Sequence, residues 1–572
     1  MESPVKPLEL IVAPPAYHMV GDGFRVHNFI PSVYRLDMHR MDPFIMMDYN
    51  SKFMFPPSPQ QRGVGVHPHR GFETVTLAYH GRVAHHDSAG NSGIIGEGEV
   101  QWMTAASGVL HKEYHEKTFS ESGGYFQMVQ LWVNLPAKDK VNLACIGIGN
   151  QGGSDVMSFA KTGLANFVAF CDVDMGAPQT RAVLEKFPDV PRFQDFRTMF
   201  DKMGSQIEAV AIGVPDHSHF PITMMALALG KHVYVEKPMA RTFNEVELMM
   251  AAAKKHSHLV TQMGNQGHSE ANYFQFKAWQ EAGIIKDVTS MTAHMNSARR
   301  WHGWDTNIKK FPAGEAVPST LDWDIWQGVV QPHEYQKDFV NGQWRCWFDY
   351  GLGALGDWGA HIMDTAHEFS NLGLPTEINM QRADGHNPFF YPLSTTLLFK
   401  FPSRGNMPAL DLTWYDGINN LPPVPAGYGV SALDPNIPPA SNGKIQPVKL
   451  NPGKIIYSKE LTFKGGSHGS TLSIIPEDKA KDMANKLPVV PVSPSNHYAN
   501  YLKACMGLEK TRSPFAIAGP LSQVFTLGVM AQKLNTKLVF DRKTKQITNN
   551  SLANSLLVGA PPRKGWEQYY KI

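Results

Sequence analysis

The chain has 572 residues and a mass of 63.6 kDa, too long for one hydrophobic core, so roughly two to four domains are expected. Its 42% hydrophobic and 18% charged residues describe a folded soluble protein, and its 49 glycines and 41 prolines indicate many turns rather than disorder. A net charge of +2, with no Lys/Arg block, excludes a phosphate-tracking groove, so no nucleic-acid partner is expected.

The first twenty residues lack a basic segment followed by a long apolar run, so they are not expected to act as a signal peptide. No stretch reaches the roughly 18 apolar residues of a membrane span. Cys145, Cys171, Cys346 and Cys505 are scattered without a CxxC pair and read as reduced, small hydrophobes. A cytoplasmic protein without a membrane partner is the expectation.

Residues 1–20 form a lead. Over 21–139, short runs such as FETVTLAYHGRVAHH and YFQMVQLWVNL alternate with the glycine turns SAGNSG and GEGE, the grammar of a β barrel or jelly roll. Here His67 and His69 stand two residues apart on extended chain, and His111 and Glu113 repeat that spacing. Three imidazoles and a carboxylate suit Fe(II), Mn(II) or Zn(II) with positions left open, so these four are candidate metal ligands. His85, His86 and His115 lack convergent spacing and read as strand or loop surface.

The pattern changes near residue 140. VNLACIGIG is an apolar strand feeding a glycine turn, and FVAFCDV is a second strand. Strand–helix pairs then repeat: IEAVAIGVP with HSHFPITMMALALG, HVYVEKP with FNEVELMMAAAKKH, and finally LVTQMGN. This alternation predicts a mostly parallel sheet, covered on both faces, over 141–263. Gly147-Ile148-Gly149-Asn150-Gln151-Gly152 fits GxGxxG between strand and helix, where absent side chains let the backbone approach a pyrophosphate at the helix N-terminus. Asp172 ends the next strand, 25 residues after Gly147. An acid there can accept both ribose hydroxyls and repel a 2′-phosphate, which favours NAD over NADP.

Residues 264–572 read as a second, α+β domain. An aromatic helix (ANYFQFKAWQEAG) precedes the strand VTSMTAHMN and a Trp/Gly/Pro segment to about 350. Strands follow at INMQRAD, STTLLFKF and ALDLTWYDG. Residues 417–457 are Pro/Gly/Asn-rich and are expected to form a surface excursion or lid. The stretch 496–535 is helix-like again and a candidate to pack on an earlier domain.

Glu236-Lys237-Pro238 follows the strand HVYV, at a carboxyl strand end where open α/β sheets place ligands. If GDWGAHIMD is helical, Asp357, His361 and Asp364 share one face at i, i+4 and i+7. Hydride removal from a secondary alcohol needs a base for the hydroxyl proton and a cation for the developing oxygen charge. His361 suits the first role and Lys237 the second, while Asp357 can bind substrate hydroxyls or orient the imidazole. The same face can instead form a polar interdomain contact.

Through GIGNQG, PDHSH (Pro215 to His219), VEKP around Lys237 and GDWGAH around Asp357 and His361, residues 141–572 resemble the Gfo/Idh/MocA oxidoreductases. The resemblance implies a Rossmann domain, a C-terminal domain with an open sheet, a nicotinamide cofactor and sugar, cyclitol or polyol substrates. It implies catalytic roles for Lys237, Asp357 and His361, with Pro215, His217 and Glu236 at the cofactor. GNQGHS from Gly264 and WRCWFDYGLGALGD resemble a subgroup that includes NAD-dependent glycoside hydrolases, which oxidise C3 transiently, eliminate the C1 substituent and re-reduce. His268, Tyr273, Trp344, Trp347 and Asp364 would then bind sugar, or else serve as packing.

Residues 21–139 resemble the N-terminal cupin domain of pirins, through GDGFRVHN, DPFIMMD, HPHRGFETVT, EGEVQWMTAASG and QLWVNLPAK. That resemblance implies non-haem iron held by His67, His69, His111 and Glu113. A pirin continues into a second cupin half, whereas here the Rossmann pattern begins directly after Lys140. Apolar surface left by the missing half would need a cover.

The expected function is therefore NAD-dependent hydride transfer with a sugar, glycoside or polyol, by a homo-oligomer (dimer or tetramer). The alternatives are a redox-neutral glycoside hydrolase that recycles its NAD and a non-enzymatic cofactor-sensing regulator or scaffold.

Overall fold

The structure is a computed structural model that describes residues 11–33, 37–105, 108–134, 140–295, 305–340, 342–417, 420–428 and 450–571. The chain divides near residue 140 into two compact units.

The first unit pairs two antiparallel sheets, as its short turn-separated runs predict. One is ordered His18–Val20, Phe24–Ile30, Phe44–Phe55, Gly124–Val133, Glu73–His80, Val100–Thr104. The other is ordered Gly63–His69, Val109–His115, Val83–Asp87, Ser92–Ile95. Strand alternation sends Phe24, Val26, Phe55, Val83, Phe126 and Met128 into one buried cluster. This is the expected cupin.

The second unit opens with a six-stranded parallel sheet in the order Arg192–Phe193, Ala165–Cys171, Val141–Ile146, Ala209–Ile212, His232–Val235, Thr261–Met263. The order reverses beside Val141–Ile146, the switch point at which such sheets bind ligands. Its middle strands Val141–Ile146, Ala209–Ile212 and His232–Val235 are mostly apolar, as expected where helices cover both faces. One of these helices, Phe243–Lys255, starts on a capping box between Thr242 and Glu245.

A nine-stranded sheet follows, ordered Leu472–Ile475, Thr462–Gly465, Gly453–Ser458, Val288–Met295, Leu410–Asp416, Ser394–Phe401, Glu377–Asp384, Leu538–Asp541, Gln546–Ile547. The strand pair Val288–Met295 and Leu410–Asp416 is parallel, and its other named pairs are antiparallel.

Residues after 264 do not all stay with this sheet. Helix His497–Cys505 returns to the Rossmann domain and buries Tyr501 and Leu502 among Val141, Leu143 and Phe159. Helix Phe515–Leu534 lies against Phe243–Lys255, so close that a Cβ on Gly519 would strike Met250. By length and composition Phe515–Leu534 can cross a membrane, but 78% of its apolar window is buried inside the protein. Of the excursion expected at 417–457, residues 418–419 and 429–449 lie outside the described residues.

Candidate active site and candidate metal centre

The glycine turn carries out three separate tasks. Gly147 has φ +79°, and a Cβ there would lie 2.6 Å from the Gly213 carbonyl oxygen. A Cβ on Gly149 would lie 2.7 Å from Gln179, and one on Gly152 would lie 2.1 Å from the Gly147 carbonyl oxygen. The helix Asn150–Lys161 that follows has no side-chain cap on its first N–H groups. Those donors face the place where an anion is stabilised by the helix terminus.

Gly147, Gly149, Asn150, Gln151, Asp172, Pro215, Glu236 and Lys237 all line one cavity of about 280 Å³, joined by Trp344 and Arg345 from the later chain. Beneath the turn lies a layer of buried acids. Asp155 accepts hydrogen bonds from Gln151 at 3.0 Å and Tyr498 at 2.9 Å, and Glu236 accepts one from Gln266 at 3.0 Å. Burial pushes the Glu236 carboxyl up to about 6, against the pull of Lys237, and burial with the Glu236 charge raises Asp155 well above the usual range. Of these two acids Glu236 lines the cavity, and Asp155 lies behind it.

Lys237 and Asp357 meet across 120 residues of sequence. The Lys237 ammonium donates to the Asp357 carboxylate at 2.9 Å and to its backbone oxygen at 3.0 Å, and Arg345 lies 3.5 Å from the same carboxylate. Both partners of the pair are buried, so the charge on Lys237 is held in place at the cavity wall. His361 follows on the same helix, Gly353–Ile362, with its ring stacked on His468 at 3.9 Å. The His468 N–H also donates to the His361 carbonyl at 3.0 Å.

Other expected residues are placed differently. The helix Gly353–Ile362 and the helix Asp364–Phe369 are separated by the single residue Met363, which keeps αR dihedrals. Asp364 faces His268 Nδ1 at 3.1 Å, while His268 Nε2 meets Glu368 at 2.5 Å. Burial opposes charge on this imidazole, but the two carboxylates win and raise it to about 9. Tyr273 packs on His268 and Phe369. Trp347 is fully buried among Phe311, Phe339 and Phe390, in an aromatic core rather than a pocket wall. His217 is also fully buried, hydrogen-bonded to the Trp326 carbonyl at 2.6 Å and absent from the cavity lining. Burial lowers it to about 3, so it pins a helix as a neutral ring.

Sequence reasoning passed over Asp216, Arg345, His468 and Asp174. Asp216 lines the cavity, accepts the Leu352 N–H at 3.0 Å, and is pushed up to about 7 by burial against the pull of Arg345. Its signal lies in PDHSH, directly after Pro215. Nothing local marks Arg345 or His468, because their importance comes from Asp357 and His361.

In the first unit, the Gly63–His69 and Val109–His115 strands pair with His67 opposite His111. The imidazole centroids of His67, His69 and His111 lie 4.7, 5.7 and 5.6 Å apart in pairs. Glu113 approaches His111 Nε2 at 3.4 Å and accepts from Gln130 at 2.8 and 3.0 Å. His67 Nδ1 donates to the Gly65 carbonyl at 2.7 Å, the tautomer in which Nε2 carries the lone pair a metal would use. Among the described residues no such group is arranged in ligating geometry. The donor chemistry nonetheless fits a metal, because buried His69 Nδ1 and His111 Nδ1 have no hydrogen-bond partner and His111 Nε2 meets only the Glu113 carboxylate. Burial, aided by His67 and His111, lowers His69 to about 4, so its ring is neutral. By contrast His115 binds the Gly23 carbonyl inside a cage of Phe24, Phe55, Phe119 and Phe126.

Comparison with known proteins follows this division. Residues 23–133 match the Pirin family. Residues 125–263 match the NAD-binding Rossmann fold of the Gfo/Idh/MocA oxidoreductase family, and 281–385 match that family's C-terminal α/β domain. The chain is 58% identical over 125 residues to a Pseudomonas aeruginosa protein named as a quercetin 2,3-dioxygenase, covering 22% of this chain and 43% of that protein. It thus spans less than two thirds of the curated relatives it matches, 43%, 53% and 37% of the first three. A levoglucosan dehydrogenase solved with NADH and L-sorbose is 16% identical, covers 70% of this chain and 99% of its own, and has a TM-score of 0.46. The aldose-aldose oxidoreductase of Caulobacter crescentus, solved with glycerol, is 16% identical over 70% of this chain and 100% of its own, with a TM-score of 0.44. The chain therefore carries a pirin cupin domain followed by the Rossmann and C-terminal domains of the Gfo/Idh/MocA oxidoreductase family, in that order.

Proposed function

We propose that the second unit transfers hydride between NAD and a secondary alcohol carbon of a sugar, glycoside or polyol. The observation that carries this reading is the buried Lys237–Asp357 pair at the wall of the nucleotide cavity. When bound, the nicotinamide supplies the carbon that takes or gives the hydride. Lys237 places a fixed positive charge beside the reacting oxygen, where negative charge develops as the hydroxyl proton leaves or, in the reverse direction, as hydride adds to the carbonyl carbon. Asp357 holds that ammonium in one position, and His361 takes the hydroxyl proton. The glycine turn, with Asn150, Gln151 and the N-terminus of helix Asn150–Lys161, cradles the pyrophosphate, and Pro215 and Glu236 border the nicotinamide half.

In the first unit we infer a divalent metal, Fe(II) or a related ion, held by His67, His69, His111 and Glu113. When bound, it supplies a Lewis-acid centre with open positions. Gln130 orients the carboxylate and Gly65 fixes the His67 tautomer. We read this domain as an accessory metal domain of a cytoplasmic homo-oligomer.

The test follows nicotinamide absorbance on full-length protein across a panel of sugars, glycosides and polyols. Stoichiometric NADH formation is expected, and Lys237→Met should lower turnover by about 10²–10³-fold while NAD still binds, the scale of losing one preorganised donor. Sugar release without NADH accumulation would replace this reading with a redox-neutral glycoside hydrolase. Unchanged turnover in Lys237→Met would remove the assigned chemistry.

A further inference from the structure

The larger sheet of the first unit keeps its polar chemistry on one side. In strands Glu73–His80 and Gly124–Val133, Thr76 and Gln130 point inward and donate to the Glu113 carboxylate at 3.3 and 2.8 Å. Ala78, Phe126 and Met128 point the same way, into the buried cluster. Successive side chains alternate across a strand, so Val75, Leu77, Val129 and Leu131 lie on the outer face, apart from that cluster.

The register joins these residues into two apolar rows. Trp102, Val75, Leu131 and Met47 stand opposite one another across four strands, and Val100, Leu77, Val129 and Tyr49 form the next row. Trp102 is 60% exposed, and Val100, Tyr79 and Tyr125 are each 51% exposed. At the rim the Trp102 Nε1–H donates to Glu73 at 2.9 Å, which leaves the indole ring as an apolar plate. Single exposed hydrophobics are ordinary, whereas a contiguous patch of them marks a contact surface. Strands about 4.8 Å apart, with same-face positions about 6.7 Å apart, give this face a footprint of roughly 400–500 Å².

Among the described residues, the second unit carries no patch to match it. It exposes no large aromatic, and its exposed aliphatic side chains, Leu229, Leu508 and Leu552 among them, stand on different elements. The surface that complements this face in chemistry and extent is the same face on another copy. Resting on the reading of the chain as a homo-oligomer, we propose that the outer face of this sheet is a two-fold interface between the cupin domains of two copies. A two-fold axis sets a patch against itself, so an apolar centre meets an apolar centre and needs no complementary charge. Two such footprints approach the roughly 1,000 Å² of a specific interface even before the corrugation of the side chains is counted. Glu113 and its hydrogen-bond partners lie on the inner side, so each copy keeps its own candidate metal centre.

The experiment combines sedimentation velocity with hydroxyl-radical footprinting of the full-length protein, reading solvent contact at Trp102, Tyr79 and Tyr125. Wild type should sediment as an oligomer in which these three side chains are protected. Val100→Glu places a carboxylate in the apolar centre of both copies at once, and should weaken association by about 100-fold or more. It should halve the sedimenting mass and restore labelling of all three side chains, with the far-UV circular dichroism of wild type. Tyr125→Lys should act in the same way, so that a folding defect at one position cannot stand in for the result. An oligomer whose mass survives both substitutions would place the interface elsewhere and overturn this assignment alone. Protection of the three side chains in a monomer would overturn it in favour of cover by the oxidoreductase unit of the same chain. A monomer in which all three are labelled freely would remove the homo-oligomer reading, and the interface with it.

Discussion

Histidines and carboxylates gather inside both units of this chain, and they are left in opposite states. In the cupin, buried His69 and His111 each have an Nδ1 without a hydrogen-bond partner, beside a Glu113 already oriented by Gln130. In the oxidoreductase, His268 has Asp364 on one nitrogen and Glu368 on the other, with Lys454 adding positive charge near Asp364. The residue types are nearly the same. The first cluster lacks something that an electron-pair acceptor such as a metal would complete, while in the second each charge is answered by another. Counting unmet donors and acceptors therefore separates a ligand site from a structural network where residue type does not.

The sharpest way to break the comparison is to remove one member of each cluster and measure metal. His111→Ala should drop bound metal from about one equivalent per chain to background by elemental analysis, since the remaining groups cannot close the coordination sphere. His268→Gln should leave the metal content unchanged. Equal metal in His111→Ala and wild type would end the cupin assignment.

His268→Gln has its own expected cost. It leaves Asp364 and Glu368 buried without their cation, a loss of about 3–5 kcal/mol in denaturation of the oxidoreductase unit. The pH dependence has a defined sign. The two carboxylates, against burial, raise His268 from an ordinary 6.5 to about 9. Its contribution is complete below pH 6.5 and is lost as pH rises through 9. Wild-type stability should therefore decline across that window, and His268→Gln should show a flatter profile. Parallel profiles would mean that the network is not charged.

The smallest effect concerns the stack on His361. His468→Ala should lower turnover by about 2–10-fold, the scale of one aromatic pair, and His468→Phe should restore most of it. Loss in both variants alike would show that the imidazole nitrogens, rather than the ring face, matter.

Much of this was legible in the chain because it is local. The alternation from VNLACIGIG to LVTQMGN yields the parallel sheet, since a helix and a strand each declare themselves within one window. The glycine turn was readable because only glycine fits the approaches at Gly147 and Gly152. Lys237 was found because it ends a strand. Less legible were Trp347 and His217, whose neighbourhoods look like a pocket wall in sequence but close into packed cores. The partner of Asp364 was not legible, because His268 lies 96 residues away in the chain.

By itself the sequence determined the order of the domains, the strands and helices of the sheets, and the positions of the glycine turn, Lys237 and the His-x-His and His-x-Glu pairs. Tertiary structure alone decided what each polar group meets. Asp357 meets Lys237 from 120 residues away, His268 meets Asp364 across 96, and Asp174 meets no donor at all on Oδ1. Backbone conformation answers to neighbours a few residues distant. Whether a buried charge is satisfied depends on partners delivered by other elements, and only the folded chain brings those together.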